Sequence, residues 1–245
     1  MCRHCFRIRC FSTGTNLTGW SRPPTTVSVV PRQTTNAPGD PAAAAPERKL
    51  TARGRERRSQ LIDYATKRFA DDGFHPTSVA DIVDGIGVGK GVFYWYFSSK
   101  EELFTEILRT AQTDLRRTQR KAIGGIDDPV RRIEEGIRAG ALWMANNPDL
   151  RRLFEFARTD ESFVKAIRIG QRRHVADAVE HLQAAIDAGL IPDRDPVALA
   201  HGILGVTNQL TMTYLDGAGG GATRRSAEEV ADLVVSICRN GFAGE

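Results

Sequence analysis

The feature that most constrains this chain is the segment TSVADIVDGIGVGKGVFYWYFSSKEEL at residues 77–103. Its first apolar residues recur at the i, i+3, i+4, i+7 spacing of one helix face: Val79, Ile82, Val83 and Ile86. Gly87 can then adopt, without steric strain, the left-handed conformation that ends a helix. The residues KGVFYWYF predict a second short helix. Two such helices joined by a glycine turn predict a helix-turn-helix at about residues 78–97, whose second helix enters the major groove of DNA.

The residues that flank these two helices favour the same arrangement. Thr77 or Ser78 stands at the N-cap of the first helix. Phe93 and Phe97, four residues apart, are expected to pack inward in the second helix. That leaves four residues on its outer faces, namely Lys90, Val92, Tyr94 and Trp95. A capping box, either Ser98 with Glu101 or Ser99 with Glu102, then opens a long helix with Phe104, Ile107, Leu108, Ala111 and Leu115 on one face.

A helix before this segment is needed to complete its core, because two short helices bury too little apolar surface alone. Leu61, Ile62, Ala65 and Phe69 predict that helix, which ends near Asp72 and Gly73. It opens with four arginines that either touch phosphates non-specifically or form a solvated helix start: Arg53, Arg55, Arg57 and Arg58.

Residues 55–115 resemble the N-terminal domain of TetR-type transcriptional regulators. The matching elements are Thr77-Ser78, Ile82-Val83, Gly87-Val88, Gly91 through Phe97, and Ser99 through Leu103. Two positions depart from the family pattern. Gly89 replaces the usual Ser or Thr cap of the second helix, and Val92 stands where Thr or Ser is common, which leaves the base read at that position open.

The resemblance implies roles for individual residues. Thr77, Tyr94 and Lys100 would hold backbone phosphates. Lys90 would donate to guanine, Val92 would touch a thymine methyl group, and Trp95 would pack on sugar or base edges. For Tyr94 and Trp95 the alternative is a half-buried packing role. The predicted DNA-contacting set is Thr77, Ser78, Lys90, Gly91, Val92, Tyr94, Trp95 and Lys100.

The rest of the chain predicts only helices, so the fold class is all-α. Helices are expected over 129–146, from 148, over 162–188, 196–216 and 226–241, with a flexible glycine-rich linker at 217–221. The expected division is a tail at 1–49, a three-helix DNA-binding domain at 50–115 and a helical effector-binding and dimerisation domain at 116–245.

The last two predicted helices favour a homodimer. Gly202 and Gly205 permit close helix approach, and both helices carry more apolar surface than one hairpin would bury: Leu199, Ile203, Leu204, Val206, Leu210, Val230, Leu233, Val234 and Ile237. A two-fold dimer would present two reading helices ~34–36 Å apart, which predicts a palindromic operator.

The family resemblance implies that a small-molecule effector binds the protein and releases it from the operator. For any single residue plain core is the favoured alternative, and the candidate pocket residues are Trp143, Met144, Phe154, Phe156, Phe163, His174, Asn208, Gln209, Met212 and Tyr214. An architectural DNA-binding protein is the main alternative, and a filled C-terminal core would favour it. A third alternative is a C-terminal domain that binds a protein partner.

Other function classes find little support. No phosphate-binding glycine loop or nucleophile elbow is present, so we predict no catalytic site and no cofactor. No apolar run approaches a membrane span of ~18 residues. Residues 1–49 are basic and rich in Pro, Thr and Ala. This composition is typical of a transit peptide or a disordered arm, but the interpretation we favour is translated upstream sequence. Their Cys2, Cys5, Cys10 and His4 match no paired zinc motif, so no metal is predicted. The few cysteines fit a reducing cytoplasm.

Overall fold

The computed structural model describes residues 50–216 and 223–243. Within those residues the chain forms nine α-helices and no strand: α1 (Ala52–Asp72), α2 (Val79–Gly85), α3 (Lys90–Tyr96), α4 (Lys100–Ile123), α5 (Pro129–Asn146), α6 (Pro148–Thr159), α7 (Val164–Asp187), α8 (Pro196–Leu215) and α9 (Ala227–Ala243). The predicted all-α fold is confirmed. The predictions for the basic tail, its cysteines and His4, and the glycine-rich linker lie outside the described residues. None of the described helices is both long and apolar enough to cross a membrane.

The helix-turn-helix has the predicted local structure. Ser78, rather than Thr77, is the N-cap of α2 and forms a full capping box with Asp81. Hydrogen bonds from the Ser78 side chain and backbone lower the pKa of Asp81, which keeps the carboxylate in this cap ionised. Gly87 has a φ of 67° in the turn that follows. Only a residue without a Cβ adopts this left-handed conformation freely, so the position of this glycine fixes where α2 ends.

The start of α4 is capped by a variant of the predicted box. The Ser99 hydroxyl accepts a hydrogen bond from the Glu102 backbone N–H at 3.1 Å. The Glu102 carboxylate, however, accepts from the backbone N–H of Ser98 at 2.6 Å, one residue before the N-cap. Both bonds therefore tie the start of α4 to the residues that follow α3. Gly89 gives α3 no side-chain cap, as its sequence predicted.

A first hydrophobic core joins α1 to α4 with α6 and the beginning of α7. It includes the predicted Leu61, Ala65 and Phe69 of α1, and also Leu153 and Phe163 from later in the chain. Helix α6 packs on α1. Helix α4 continues beyond residue 115 and ends at Ile123. Helices α2 and α3 therefore share a core with the helices that follow, and the described residues form one compact unit.

A second core is built by α5, α7, α8 and α9. Its buried residues include Ile137, Leu182, Ala200, Val230 and Val234. The long helices α4 and α5 lie side by side and connect the two cores.

Candidate nucleic-acid interface and effector cavity

Helix α3 has one buried and one exposed aromatic face. Phe93 and Phe97 are fully buried, as predicted. Tyr94 and Trp95 are 56% and 51% exposed, and the rings of Trp95 and its neighbour Tyr96 are nearly perpendicular, with centroids 4.5 Å apart. Large aromatic side chains are rarely left this open unless they contact a partner. The geometry therefore favours the contact role for both residues over the packing role.

The remaining predicted residues of α3 lie on or beside the same surface. Lys90 and Gly91 are exposed and Val92 is half-buried. A Cβ added at Gly91 would meet no atom within 4 Å, so no protein atom near Gly91 blocks the approach of a partner to this end of α3. Ser78 is also exposed, but its hydroxyl is occupied, because it donates to the Asp81 carboxylate at 2.7 Å.

Thr77 and Lys100 have structural roles instead of the expected free phosphate contacts. Thr77 is 2% exposed and its hydroxyl donates to the Gly73 carbonyl at 2.7 Å. The Lys100 ammonium donates to the carbonyls of Phe74 and Thr77 at 2.7 and 2.8 Å and lies 4.3 Å from the centre of the Phe74 ring. A third carbonyl, that of His75, lies 3.3 Å away. An ammonium has three N–H donors, so Lys100 has none left for a phosphate in this conformation.

One member of the arginine run at the start of α1 also has a structural role. Arg58 donates to the Glu106 carboxylate at 2.6 Å, and its guanidinium lies 5.1 Å from the centre of the Phe97 ring. Burial alone would raise the pKa of Glu106, but hydrogen bonds from Arg109 and Arg58 outweigh it and lower the pKa. Arg58 therefore fixes α1 on α4, which favours neither of the two expectations for that residue.

A cavity of about 320 Å³ lies between α4, α5, α7 and α8. Three of the candidate pocket residues line it, namely Met144, His174 and Asn208. Its walls are largely apolar, through residues such as Leu115, Ile137 and Leu204. The volume and lining are typical of a small-molecule site.

One polar region of the cavity wall is organised by Asp177. Arg116 donates to both of its carboxylate oxygens, at 2.7 and 2.9 Å, and Arg120 lies 3.5 Å from one of them. Burial first, and the Arg116 charge second, lower the pKa of His174 to about 4, although Asp177 opposes the shift. His174 is therefore neutral near pH 7. Its Nε2 atom is buried without a hydrogen-bond partner among the described residues.

A second hollow, of about 370 Å³, adjoins this cavity between α6, α7 and α8. The predicted residues Asn208, Gln209 and Met212 line it. Leu204 and Asn208 belong to the walls of both spaces, so the two spaces are neighbours.

Five predicted pocket residues lie elsewhere. Phe154, Phe156 and Phe163 belong to the first core, because α6 crosses back onto α1. Trp143 belongs to that core too, and its indole N–H donates to Asp114 at 2.9 Å. Tyr214 packs against the second core, and the Arg225 guanidinium lies 4.6 Å from the centre of its ring.

The outer face of α8 is open. Gly202 and Gly205 are exposed, and a Cβ added at either would meet nothing within 4 Å. Only three of the residues of this apolar helix are buried, namely Ala200, Thr211 and Leu215. In α9 the expected interface is narrower than predicted. Val230 and Val234 are buried in the second core, whereas Leu233 is half-buried and Ile237 is exposed.

Comparison with known proteins identifies the family. The family model described as bacterial regulatory proteins, tetR family, matches residues 61–107, which are the end of α1, the helix-turn-helix and the start of α4. The helix-turn-helix segment of the chain is therefore a TetR-family domain. A curated relative, the HTH-type transcriptional repressor KstR2 of Mycobacterium tuberculosis, is 36% identical over 78 residues, which is 32% of this chain and 39% of the relative. The chain thus matches about two-fifths of that relative's length.

Solved structures extend the likeness to the C-terminal helices. The structure of the ketosteroid transcriptional regulator KstR2 of Mycobacterium tuberculosis superimposes with a TM-score of 0.60 at 25% identity, over 77% of this chain and 96% of that one. A putative TetR-family regulator from Syntrophomonas wolfei gives a TM-score of 0.67 at 20% identity, over 76% and 94% of the two chains. At that identity the second match supports the TetR-family fold alone.

Sequence reasoning missed most of the cavity wall of this chain. Gly136 and Gly140 are one turn apart on α5 and both line the cavity. A Cβ at Gly140 would come within 3.0 Å of the Gln119 side chain, so glycine here lets α4 and α5 approach closely. Paired glycines four residues apart on an amphipathic helix were the available signal.

Replacement of Lys100 by methionine tests its structural role in the TetR-type domain. We expect the free energy of unfolding to fall by about 2 kcal/mol, because partly buried carbonyls lose a charged donor. Affinity for DNA should fall, but the slope of log affinity against log salt should stay the same, since no phosphate contact is lost. Urea unfolding and fluorescence anisotropy at several salt concentrations measure the two effects.

A direct phosphate contact at Lys100 would give the opposite result, with unchanged stability and a salt slope smaller by about one. Lys165→Met on α7 is the matched control, since Lys165 is exposed and lies outside the TetR-type domain. It should change neither quantity.

Proposed function

We propose that the chain is a transcriptional repressor that binds a palindromic DNA operator as a homodimer and leaves it when a small-molecule effector binds. The observation that carries the proposal is the exposed Tyr94–Trp95 face of α3, held outward by the buried Phe93 and Phe97. A surface with two open aromatic rings and a lysine matches the chemistry of phosphates and base edges.

In this proposal, each exposed residue of α3 contacts a different part of the DNA. The Tyr94 hydroxyl donates to a backbone phosphate and fixes the register of the helix. Lys90, in the first turn, donates to guanine O6 or N7, and Trp95 packs against sugar or a base edge. Val92 is half-buried, so its methyl groups reach only a thymine methyl that approaches closely.

The open face of α8 supports a homodimer. Exposed Gly202 and Gly205 leave room for the backbone of a second α8, and Val197 of α8 and Ile237 of α9 are exposed apolar side chains. Apolar surface of this kind is stabilised when a partner covers it. A two-fold axis here gives two copies of α3, which is why we expect a palindromic operator.

The cavity supports effector control over the architectural alternative, which requires a filled core. A ligand between α4, α5, α7 and α8 touches the helix whose start is tied to the residues that follow α3. It would release DNA by favouring the positions of α4 that place the two reading helices at the wrong spacing. The name of the curated KstR2 relative supports repression as the sign of control.

Replacement of Trp95 by alanine tests the reading surface. The probe is the duplex that the full chain enriches from a random-sequence pool, which we expect to be palindromic. Trp95→Ala should weaken binding about 10-fold, because one packing contact with the DNA is lost. Tyr94→Phe should weaken it several-fold through the loss of one phosphate hydrogen bond. Fluorescence anisotropy measures both.

The control is Leu190→Ala, which removes an equally exposed apolar side chain from the loop after α7. It should leave affinity for the enriched duplex unchanged. Binding by Trp95→Ala and Tyr94→Phe as tight as that of the control would count against α3 as the reading helix. Enrichment of a sequence without two-fold symmetry would count against the dimeric operator complex.

A further inference from the structure

Arg158, near the end of α6, is a half-buried cation without a counter-charge. Its Nε atom is out of contact with solvent and has no hydrogen-bond partner among the described residues. Burial lowers the pKa of its guanidinium, and the nearby Glu155, which forms no ion pair with it, only partly offsets that effect. A guanidinium stays protonated at any physiological pH. Arg158 is therefore a charge that the fold partly removes from water without an ion-pair partner among the described residues, which an anion beside it would stabilise.

The space beside Arg158 suits an anion. Arg158 lines the polar hollow between α6, α7 and α8, and the other lining side chains include uncharged hydrogen-bonding groups and no carboxylate: Gln171, His201, Asn208 and Gln209. Amides and imidazole can donate to oxygen atoms of an anion from several directions. A guanidinium with its planar fork of donors matches carboxylate and phosphate groups best.

The other arginines of the site do not offer the same opportunity. Arg116 already donates to both carboxylate oxygens of Asp177, and Arg120 shares the same carboxylate. Across both spaces, four arginines face two acidic residues, so the walls carry a net positive charge: Arg116, Arg120, Arg132 and Arg158 against Asp177 and Glu180. Arg158 is the one of these four, within the described chain, whose buried N–H is without a partner.

The polar hollow and the apolar cavity are adjacent. Leu204 and Asn208 of α8 contribute to both walls. A ligand that filled both would meet apolar walls at one end and the Arg158 guanidinium at the other.

We propose that the effector is an amphipathic organic anion, whose apolar body fills the cavity between α4, α5, α7 and α8 and whose anionic head pairs with Arg158 in the adjoining hollow. This inference rests on the proposed effector control. Ligand binding then satisfies the unpaired guanidinium and removes apolar surface from water at the same time. The head is held by α6, which packs on α1, while the body contacts α4. Both ends of the ligand thus reach helices of the first core.

The test measures direct binding to the full chain without DNA, by isothermal titration calorimetry. Three probes share one ten-carbon chain and differ in the head, namely decanoate, decyl phosphate and decan-1-ol. We expect at least one of the anions to bind 10-fold or more tightly than the alcohol, and the preferred anion distinguishes a carboxylate from a phosphate head. Equal affinity for the alcohol, or no binding of either anion, would overturn the proposal.

Arg158→Gln and Arg158→Lys test the head group site. The glutamine variant should lose the preference for the anion by 10-fold or more and keep its affinity for the alcohol, while the lysine variant should retain part of the preference. Arg173→Gln removes an exposed arginine of α7 and should change nothing. Arg158→Gln should unfold at the same temperature as the parent chain or a higher one, because it removes an unpaired buried charge.

Two further measurements distinguish this proposal from a subunit-contact role for Arg158 and from the proposed DNA function. If Arg158→Gln weakens self-association in sedimentation equilibrium and leaves anion binding unchanged, Arg158 serves the contact between subunits and the proposal is wrong. Binding of the enriched duplex is measured in the same variants. If the chain binds the duplex but no anion, the proposed DNA function stands and the proposed anion site is wrong. If it binds an anion but no duplex, the anion site stands and the proposed DNA function is wrong.

Discussion

Replacing Asp216 with alanine is expected to lower the free energy of unfolding by about 3 kcal/mol. Its partner Arg151 is 4% exposed. The Arg151 guanidinium donates twice to the Asp216 carboxylate, through Nε at 2.8 Å and through Nη2, and once to the Met144 carbonyl at 2.6 Å. Removal of the carboxylate leaves a buried charge without its counter-ion, which is far less favourable than the loss of a surface pair. Urea unfolding at fixed protein concentration measures the change.

Asp232→Ala provides the matched control, because Asp232 also pairs with an arginine, Arg138, but at an exposed site. It should change the free energy of unfolding by less than about 1 kcal/mol. In a second control, Arg151→Met combined with Asp216→Ala should recover much of the loss, since no buried charge remains. Equal effects of Asp216→Ala and Asp232→Ala would contradict the assignment of a buried, structurally required ion pair.

The Arg151–Asp216 pair has a place in the proposed mechanism. It joins α6 to the end of α8 and to the last turn of α5. Helix α6 packs on α1, and α8 carries the open face that we assign to the second subunit. The pair therefore connects the proposed dimer helix to the helices that support α3. A weakened pair should loosen the spacing between the two copies of α3.

The helix-turn-helix could be predicted from sequence because its determinants are local. The Ser78 hydroxyl and the Asp81 carboxylate that it meets are three residues apart. Gly87 needs its left-handed conformation whatever surrounds it. The inward direction of Phe93 and Phe97 follows from helical periodicity alone. None of these features depends on how distant segments pack.

The roles that sequence reasoning assigned differently depend on tertiary structure. Lys100 is an exposed-looking lysine in the first turn of a helix, and only the fold brings three carbonyls from residues 74–77 to its ammonium. The aromatic residues of α6 have the composition of a pocket lining. They became core because α6 folds back on α1, 80 to 100 residues earlier in the chain, and periodicity carries no signal for that contact.

Phe74 is the residue whose truncation should most weaken the first core. Its ring lies 4.9 Å from those of Phe104 and Phe163 and 5.4 Å from that of Phe69, measured between centroids. It is almost fully buried and also lies beneath the Lys100 ammonium. Phe74→Ala should lower the free energy of unfolding by about 3–5 kcal/mol, since a large buried side chain is replaced by a cavity. Urea unfolding measures it.

The completeness of DNA release by the effector separates a packing role from a coupling role for Phe74. Phe163 lies beside α7, whereas Phe74 precedes α2, so the Phe74–Phe163 contact spans the reading helices and the proposed effector half. Phe74→Leu retains most of the apolar volume and should cost less than about 1.5 kcal/mol. If Phe74 couples the halves, Phe74→Leu binds the enriched duplex normally but is released less completely by the effector. Full release from this stable variant would leave Phe74 as a packing residue only, and coupling would then run through α4 alone.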